Sequence, residues 1–445
     1  MDGKENRATH YRKNSLSLIG AVALGTGVMI GAGIFALTGQ MAEMTGALFP
    51  FAFVSAAVVV AFSAYSYVKM SKAYPSAGGI AMYLKAAYGR TVPTAFHALL
   101  MYSSMVIAQG FLARTFGSYT LQLFDIQDAR TLVSVVGILV LVGAFLVNLS
   151  GNRLIGRVAS LMAAAKIGGI VLFGLVGILV ADKAEVGVSG GGPEASLGGF
   201  VGATAMGILA FKGFTTIANS GSEIADPHRN VGRAIVISIA LCVVVYVLVG
   251  LAVAGNLSLQ EIIETKNYSL AAAARPAMGD YGLWFTVILA MIATASGLVA
   301  SMFAVSRLLA MLSEEKLVPH SHFGMPGSVQ KHTLVYTVVL GLALTTFFDL
   351  SRIAALGIIF YLVMDVAIHW GVLRHLRDEL GARPPVVITA VALDLVILAG
   401  FIWFKLSRDP LVIAIAGIWM AGVLLLELAF LRSRGDAQGA GGQGA

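Results

Sequence analysis

Charged residues are scarce in this sequence. Asp, Glu, Lys and Arg make up only 12% of its 445 residues, whereas 58% are hydrophobic. A soluble globular domain carries about twice that charged fraction, so the composition excludes a soluble protein of this length. Cysteine is almost absent as well. The single cysteine, Cys242, excludes an internal disulfide bond and any metal site built from several cysteines, and we expect no metal site.

Long polar segments are also few. The chain consists mainly of apolar runs, each about as long as a helix that crosses a bilayer roughly 30 Å thick. The hydrophobic pattern predicts twelve spans, at residues 15–38, 47–69, 93–121, 131–149, 155–181, 198–221, 231–254, 270–304, 333–349, 353–374, 385–405 and 410–430. The predicted fold class is therefore an all-α membrane protein with twelve transmembrane helices.

Acidic residues are outnumbered, and the formal net charge is +7. Two thirds of the 30 lysines and arginines fall in the amino-terminal segment and in every second loop after it. Because positive charge is retained in the cytoplasm, the surplus predicts topology rather than binding to nucleic acid. We expect a multi-pass protein of the cell inner (plasma) membrane with both termini cytoplasmic. Residues 1–14 form the predicted amino-terminal tail, and the glycine-rich residues 431–445 are predicted to be disordered.

Glycine interrupts two of the predicted spans. The first contains "GTGVMIGAGIFALTG" (25–39) and the sixth contains "GILAFKGFTTIANSG" (207–221). These segments lie five spans apart, and an odd offset reverses the direction in which the equivalent helix crosses the membrane. Glycine-broken segments at matching positions of two inverted halves indicate the central site of a transporter. Helix packing is the alternative for the first segment, because Gly27 and Gly31 also form a GxxxG pair.

Three further motifs carry a family resemblance. "MIGAGIFALTG" (29–39), "YPSAGGIAMYLKAAYG" (74–89) and "SEIADPHRNVGRAI" (222–235) resemble the corresponding segments of amino acid–polyamine–organocation (APC) permeases, in the order and topology of that superfamily. The similarity is to proton-coupled bacterial and archaeal amino acid transporters. One departure is Gly232, which stands where the family pattern has a proline.

The resemblance implies a five-plus-five inverted repeat. The first repeat would cover residues 15–181, the second 198–374, and two extra helices would follow over 385–430. In relatives, backbone amides of the broken first helix hold the substrate carboxylate and carbonyls of the broken sixth helix hold its amine. The implied substrate-binding residues are Ile30, Gly31, Ala32, Gly33, Leu209, Ala210, Phe211, Lys212 and Gly213, together with Ser296 on the eighth span.

The same comparison predicts a gate over the substrate. Relatives often carry a large aromatic residue where Leu209 stands. Phe211 is the candidate substitute for this gate.

Lys166 lies inside the fifth span, at the place of a lysine that many proton-coupled family members carry. Burial disfavours the charged form of a lysine, so this amine is a candidate proton carrier, and H⁺ is the predicted coupling ion. The alternative is a permanently charged lysine that bridges the fifth span to carbonyls of the first. Both interpretations are open at the level of sequence.

Lys212 is unusual because it places a charge in the middle of the sixth span, where a charge costs about 2.5 to 3.5 kcal/mol. Facing the substrate, it would repel cationic side chains and attract acidic ones. The alternative is a lysine that is neutralised by an acid on a neighbouring helix, such as Asp365. Asp365 is itself spaced to pair with His369, while Asp394 and Glu427 fall in the extra helices, which the resemblance assigns to contacts between subunits.

Secondary transport is the function that these features favour. A channel would need a continuous polar lining, and the sequence shows no HExxH motif or serine–histidine pairing of a membrane-embedded enzyme. We therefore expect a non-enzymatic carrier of amino acids, with neutral or acidic substrates preferred over cationic ones. We expect no cofactor, no nucleic-acid partner, and a monomer or homodimer. Exchange without proton coupling, or transport of another small organic ion, is the alternative.

Overall fold

The described part of the chain is helical almost throughout. The computed structural model describes residues 16–76, 79–126, 129–150, 152–181, 196–318 and 329–441. Within these ranges no β-strand forms, and a single bridge between extended residues joins Leu16 to Ile224. The predicted all-α architecture is confirmed.

A helix lies over each of the predicted apolar runs, and the first and sixth runs each contain two helices. In chain order the helices are α1 (Leu18–Met29), α2 (Ala32–Thr45), α3 (Phe49–Ala73), α4 (Gly79–Tyr88), α5 (Val92–Gln122), α6 (Arg130–Leu149), α7 (Asn152–Val180), α8 (Leu197–Phe211), α9 (Phe214–Asn219), α10 (Pro227–Asn256), α11 (Leu259–Glu264), α12 (Ser269–Glu314), α13 (Val329–Phe347), α14 (Leu350–Gly371), α15 (Pro384–Arg408) and α16 (Pro410–Gly441).

The helices have the lengths and apolar composition of membrane spans. Among the described residues, nine helical segments are long and apolar enough to cross a membrane. Three shorter apolar helices accompany them, at Leu18–Met29, Ala165–Val180 and Lys331–Phe347. These lengths fit a multi-pass membrane protein, while the count of twelve spans and the inverted repeat stay predictions.

The carboxy-terminal end differs from the expectation. We predicted a disordered tail over residues 431–445, but α16 continues to Gly441. The arginines, alanine and glutamine of this segment are compatible with helix, and adding residues to an existing helix avoids the cost of nucleation. Residues 442–445 and the predicted amino-terminal tail, 1–14, lie outside the described residues.

The two broken runs lie in the interior of the bundle. Helix α8 packs against α2 and α3, and α1 packs against α9 and α10. Helices α5, α7 and α12 surround them. Helix α15 contacts α3, α8 and α14, whereas α16 lies against α5, α14 and α15.

Helix α4 is docked at both ends. At its start, the backbone N–H of Ile80 donates to Asn219 Oδ1 (3.2 Å) at the end of α9. Near its other end, Lys85 Nζ lies 2.7 Å from Glu315 Oε2, directly after α12. The hydrogen bond from Lys85 lowers the pKa of the Glu315 carboxyl. The connection between the second and third spans is therefore attached to both α9 and α12.

Gly79 makes the first of these contacts feasible. Its φ is +44°, and a Cβ at this position would lie 2.0 Å from Asn219 Oδ1 and 2.6 Å from Asn219 Cα. Gly89 also has a positive φ, of +69°, but no atom lies within 4 Å of its Cβ position. Both glycines therefore adopt a backbone conformation that disfavours other residues. Only Gly79 also lacks space for a side chain.

We predict that Gly79→Ala lowers the melting temperature of the purified protein more than Gly89→Ala does. Both variants bear the cost of a left-handed alanine, about 1–2 kcal/mol, and only Gly79→Ala also displaces Asn219. Thermal unfolding followed by fluorescence-detected size exclusion measures the difference. Equal shifts for the two variants would show that the contact with Asn219 contributes nothing.

Candidate functional site

The break in the first run is a real interruption of the helix. Helix α1 ends at Met29, and the next residue, Ile30, has φ −79° and ψ 56°. Gly31 follows with φ −118° and ψ −127° and precedes α2 without any side-chain cap. The first amides of α2 therefore form an uncapped helix amino terminus inside the bundle, and such a terminus favours an anionic group.

The break in the sixth run is narrower than predicted. Lys212 (φ −52°, ψ −22°) and Gly213 (φ −54°, ψ −19°) separate α8 from α9 but keep nearly helical angles. Their carbonyls accept hydrogen bonds from the amides of Thr215 (3.0 Å) and Thr216 (3.1 Å). The expected unwound stretch is therefore a tight turn. Its backbone carbonyls accept hydrogen bonds from amides three residues later, as in a 3₁₀ turn, and are not free.

The two breaks are packed into each other. A Cβ at Gly33 would lie 3.0 Å from both Cα and Cβ of Ala210, and one at Gly213 would lie 2.7 Å from the amide nitrogen of Met29. Each glycine thus admits the backbone of the opposite segment. The packing interpretation and the site interpretation of these glycines are compatible, because close approach brings both breaks to one place.

Tyr246 of α10 joins the two segments. Its hydroxyl lies 2.6 Å from the carbonyl oxygen of Met29 and 3.0 Å from that of Ala210. One hydroxyl hydrogen is therefore shared between the end of α1 and the end of α8. This tyrosine is buried, and the aromatic rings of Phe53 and Phe211 lie against it.

A small cavity lies beside the junction, with a volume of about 100 Å³. Five of the predicted substrate-binding residues line it: Gly33, Leu209, Ala210, Lys212 and Gly213. The rest of the wall is mostly apolar and comes from α1, α2, α5, α9, α12 and α14, and its polar residues are Thr215, Thr216 and Ser301.

The other predicted residues do not line this cavity. Ile30 and Gly31 form the break itself, and Ala32 begins α2. Ser296 contacts Lys166 instead. Phe211, the candidate gate, is fully buried with its ring 4.9 Å from that of Tyr246, so it supports the junction and does not cover the cavity. The physical reason is helical: Leu209 and Phe211 are two residues apart and face different sides.

Lys212 lines the cavity, and its ammonium group is hydrogen-bonded to a residue of α5. Lys212 Nζ donates to Ser104 Oγ (2.5 Å), and Ser104 in turn donates to the carbonyl oxygen of Gly357 (2.7 Å). The ammonium also lies 5.7 Å from the centre of the Tyr361 ring. Within the described residues Lys212 forms no ion pair, so the alternative pairing with Asp365 is not made.

Lys166 occupies a different contact. Its ammonium donates to the carbonyl oxygen of Gly27 (2.5 Å) and to Ser296 Oγ (3.2 Å), and the side chain is buried. It therefore connects α7 to α1 and α12. As with Lys212, no carboxylate in the part of the chain that the structure describes lies within ion-pair distance.

Asp365 belongs to a separate buried cluster. Its carboxylate accepts from Ser63 (2.7 Å) and Tyr67 (2.6 Å) of α3. His369 Nε2 lies 3.6 Å from Asp365 Oδ1 and 3.3 Å from Asp394 Oδ2. The Asp394 side chain is thus buried within the chain, beside the imidazole on α14, while contacts of the last two helices with another subunit stay a prediction.

Sequence reasoning missed Tyr246, Ser104 and Tyr361. Tyr246 and Tyr361 are hydroxyl-bearing residues within otherwise apolar runs, and Ser104 lies in "YSSM". A polar group inside a span is a signal that it has a partner. Nothing in the sequence shows which carbonyl or ammonium that partner is.

Comparisons with known proteins agree with this architecture. The profile of the family described as amino acid permease matches residues 16–426, which confirms the resemblance to APC permeases. The inner membrane transport protein YbaT of Escherichia coli is 29% identical, over 93% of this chain and 94% of the relative. The branched-chain amino acid permease BcaP of Lactococcus lactis is 26% identical, over 75% and 76%. The large neutral amino acids transporter small subunit 2 of the mouse is 25% identical, over 92% and 80%.

We predict that Tyr246→Phe impairs the site without unfolding the protein. The variant removes one hydroxyl and leaves the carbonyls of Met29 and Ala210 without their donor, at a cost of about 1–3 kcal/mol. Substrate uptake should fall at least about tenfold. Tyr102→Phe is the control, because among the described residues its buried hydroxyl is hydrogen-bonded to Thr337 alone (3.2 Å), away from the junction. Similar uptake in both variants would contradict the assigned role.

Proposed function

The chain belongs to the amino acid permease family, and we propose that it is a secondary active transporter that prefers neutral or acidic amino acids over cationic ones. The observation that carries this proposal is the junction of α1–α2 with α8–α9. Two glycine-dependent breaks meet beside a cavity that contains one cationic side chain, Lys212. In this proposal the substrate binds there, and the two five-helix repeats rearrange around it to expose it to one side of the membrane at a time.

The ends of a bound amino acid would be recognised differently. The uncapped amino terminus of α2, after Gly31, suits the carboxylate because free amides at the start of a helix favour an anion. The amine would face the α8–α9 turn, where the helix end of α8 carries partial negative charge. This assignment keeps the carboxylate and the amine at opposite breaks.

The side chain of the substrate would face mainly apolar groups. A cavity of about 100 Å³ has room for a small side chain, and its apolar wall suits a neutral one. The Lys212 ammonium disfavours a cationic side chain, because it is itself buried and only weakly screened. An acidic side chain would be attracted to it after Lys212 is released from Ser104.

Lys166 is the proposed proton carrier. Its ammonium binds Gly27 of α1 and Ser296 of α12 with no carboxylate to fix its charge among the described residues. Losing the proton would weaken the contact that anchors α1 to α7, because hydrogen bonds from a charged donor are stronger than those from a neutral one. Protonation would thus be linked to the position of α1.

The proposal also includes the orientation of the chain in the membrane. The distribution of lysine and arginine favours cytoplasmic termini in a plasma-membrane protein of twelve spans. The coupling ion is H⁺, and the assembly is a monomer or a homodimer.

The charge of Lys212 generates a prediction about selectivity. Competition of glutamate, alanine and arginine against uptake of a neutral amino acid in proteoliposomes should show arginine as the weakest competitor of the wild type. Lys212→Ala should relax selectivity, and Lys212→Asp should improve competition by arginine about tenfold or more, since a charge contact here is worth more than about 1 kcal/mol. Arginine as the best competitor of the wild type would overturn the proposed role of Lys212.

Lys166 generates a prediction about coupling. Uptake by the wild type should increase when the outside of the vesicle is made more acidic than the inside, because the inward proton gradient drives the substrate. Lys166→Ala should lose this increase while still exchanging substrate across the membrane. The measurement compares net uptake with counterflow at two external pH values. A wild type that shows counterflow but no response to the gradient would favour exchange without proton coupling.

A further inference from the structure

A basic groove opens at the end of the bundle where α1 begins. It is lined by Leu18 of α1, by Val68 and Lys72 of α3, and by His228, Arg229, Gly232, Arg233, Val236 and Ile237 of α10, with a cavity volume of about 770 Å³. This basic groove lies far along α1, α3 and α10 from the breaks and plays no part in the proposed substrate site.

The charge of the basic groove is of one sign. Lys72, Arg229 and Arg233 form no ion pair and no side-chain hydrogen bond with any residue that the structure describes. Their neighbours behave differently. Lys69, one turn before Lys72, donates to the carbonyls of Leu380 and Gly381. The nearby carboxylate of Asp226 is exposed and does not line the groove.

The basic and apolar residues are ordered along the helices. On α10, Arg229, Arg233, Val236 and Ile237 follow one another at helical spacing, so they share one face. The arginines are nearest the helix end, and Ile237 lies roughly 12 Å deeper than Arg229, at 1.5 Å per residue. On α3 the order is the same, because Lys72 is next to the helix end at Ala73 and Val68 is one turn deeper.

This order matches the shape of a phospholipid. Val236 and Ile237 have exposed side chains, which in a membrane would face acyl chains, and the arginines nearer the helix end would then meet the headgroups. A soluble anion would contact only the charged end. The amino-terminal segment of the chain is an unsuitable occupant, because residues 1–15 carry Lys4, Arg7, Arg12 and Lys13 against two acidic residues.

We propose that the basic groove between α1, α3 and α10 binds one anionic phospholipid, with its phosphate on Lys72, Arg229 and Arg233 and an acyl chain along Val68, Val236 and Ile237. Basic residues at a membrane boundary attract anionic lipids in this way. The bound lipid would touch Leu18, the first residue of the half-helix α1, and so would connect α1 to α3 and α10.

The test uses the full-length purified protein and native mass spectrometry with dioleoyl-phosphatidylglycerol or dioleoyl-phosphatidylcholine. We expect the wild type to retain the anionic lipid at least about tenfold more tightly than the zwitterionic one. The double variant Arg229→Gln/Arg233→Gln should lose this preference, at roughly fivefold per arginine. Arg374→Gln is the control, since Arg374 is exposed, follows α14 and lies outside the groove.

A second variant and three further outcomes also test the lipid proposal. Lys72→Gln alone should weaken binding of the anionic lipid by roughly fivefold, which provides a second variant if the double one is poorly folded. Equal retention of the two lipids by the wild type would overturn the proposal. Displacement of the lipid by millimolar inorganic phosphate would reduce the groove to an anion site. A large gain in lipid affinity after deletion of residues 2–13 would show that the chain's own segment occupies it.

Discussion

The structure depends on one constraint: inside a bilayer, a backbone carbonyl that leaves a helix must find a donor within the protein. Three carbonyls near the breaks show how it is met. Gly27 accepts from Lys166, and Met29 and Ala210 share the hydroxyl of Tyr246. Water could satisfy such groups at a surface, but here side chains from α7 and α10 do so. The breaks are therefore tolerated because of those two helices.

The same constraint separates the two buried lysines. Lys166 has a main-chain carbonyl as one of its two oxygen partners and joins three helices, whereas Lys212 donates to one hydroxyl and lies beside an aromatic ring. A buried ammonium with fewer partners is less well compensated for its lost hydration. Lys166 is thus held by a backbone contact. Lys212, at the cavity, has fewer hydrogen bonds to break if its ammonium turns toward a bound ligand.

The sequence predicted the helices well, because the length and apolar composition of a run are local properties of the chain. It also located both breaks from their glycines. It did not predict that α8–α9 is a tight turn, since that follows from the packing of Gly213 on Met29. Nor did it pair Lys212 with Ser104 or Asp394 with His369. These partners lie more than one hundred residues apart for Lys212 and on separate helices for Asp394, and no local pattern encodes such distances. The glycine-rich composition of the tail does not by itself predict helix, and α16 continues to Gly441 because it extends a helix that has already formed.

The cluster of Asp365, His369 and Asp394 has a consequence for the modular structure of the chain. Helix α15 lies outside the predicted repeats. Its Asp394 carboxylate nevertheless lies beside the fully buried imidazole of His369 on α14. Without α15, His369 would lose the carboxylate that lies 3.3 Å from its Nε2. Helix α15 is therefore part of the buried core that surrounds His369 and is not a separate layer added to the predicted repeats.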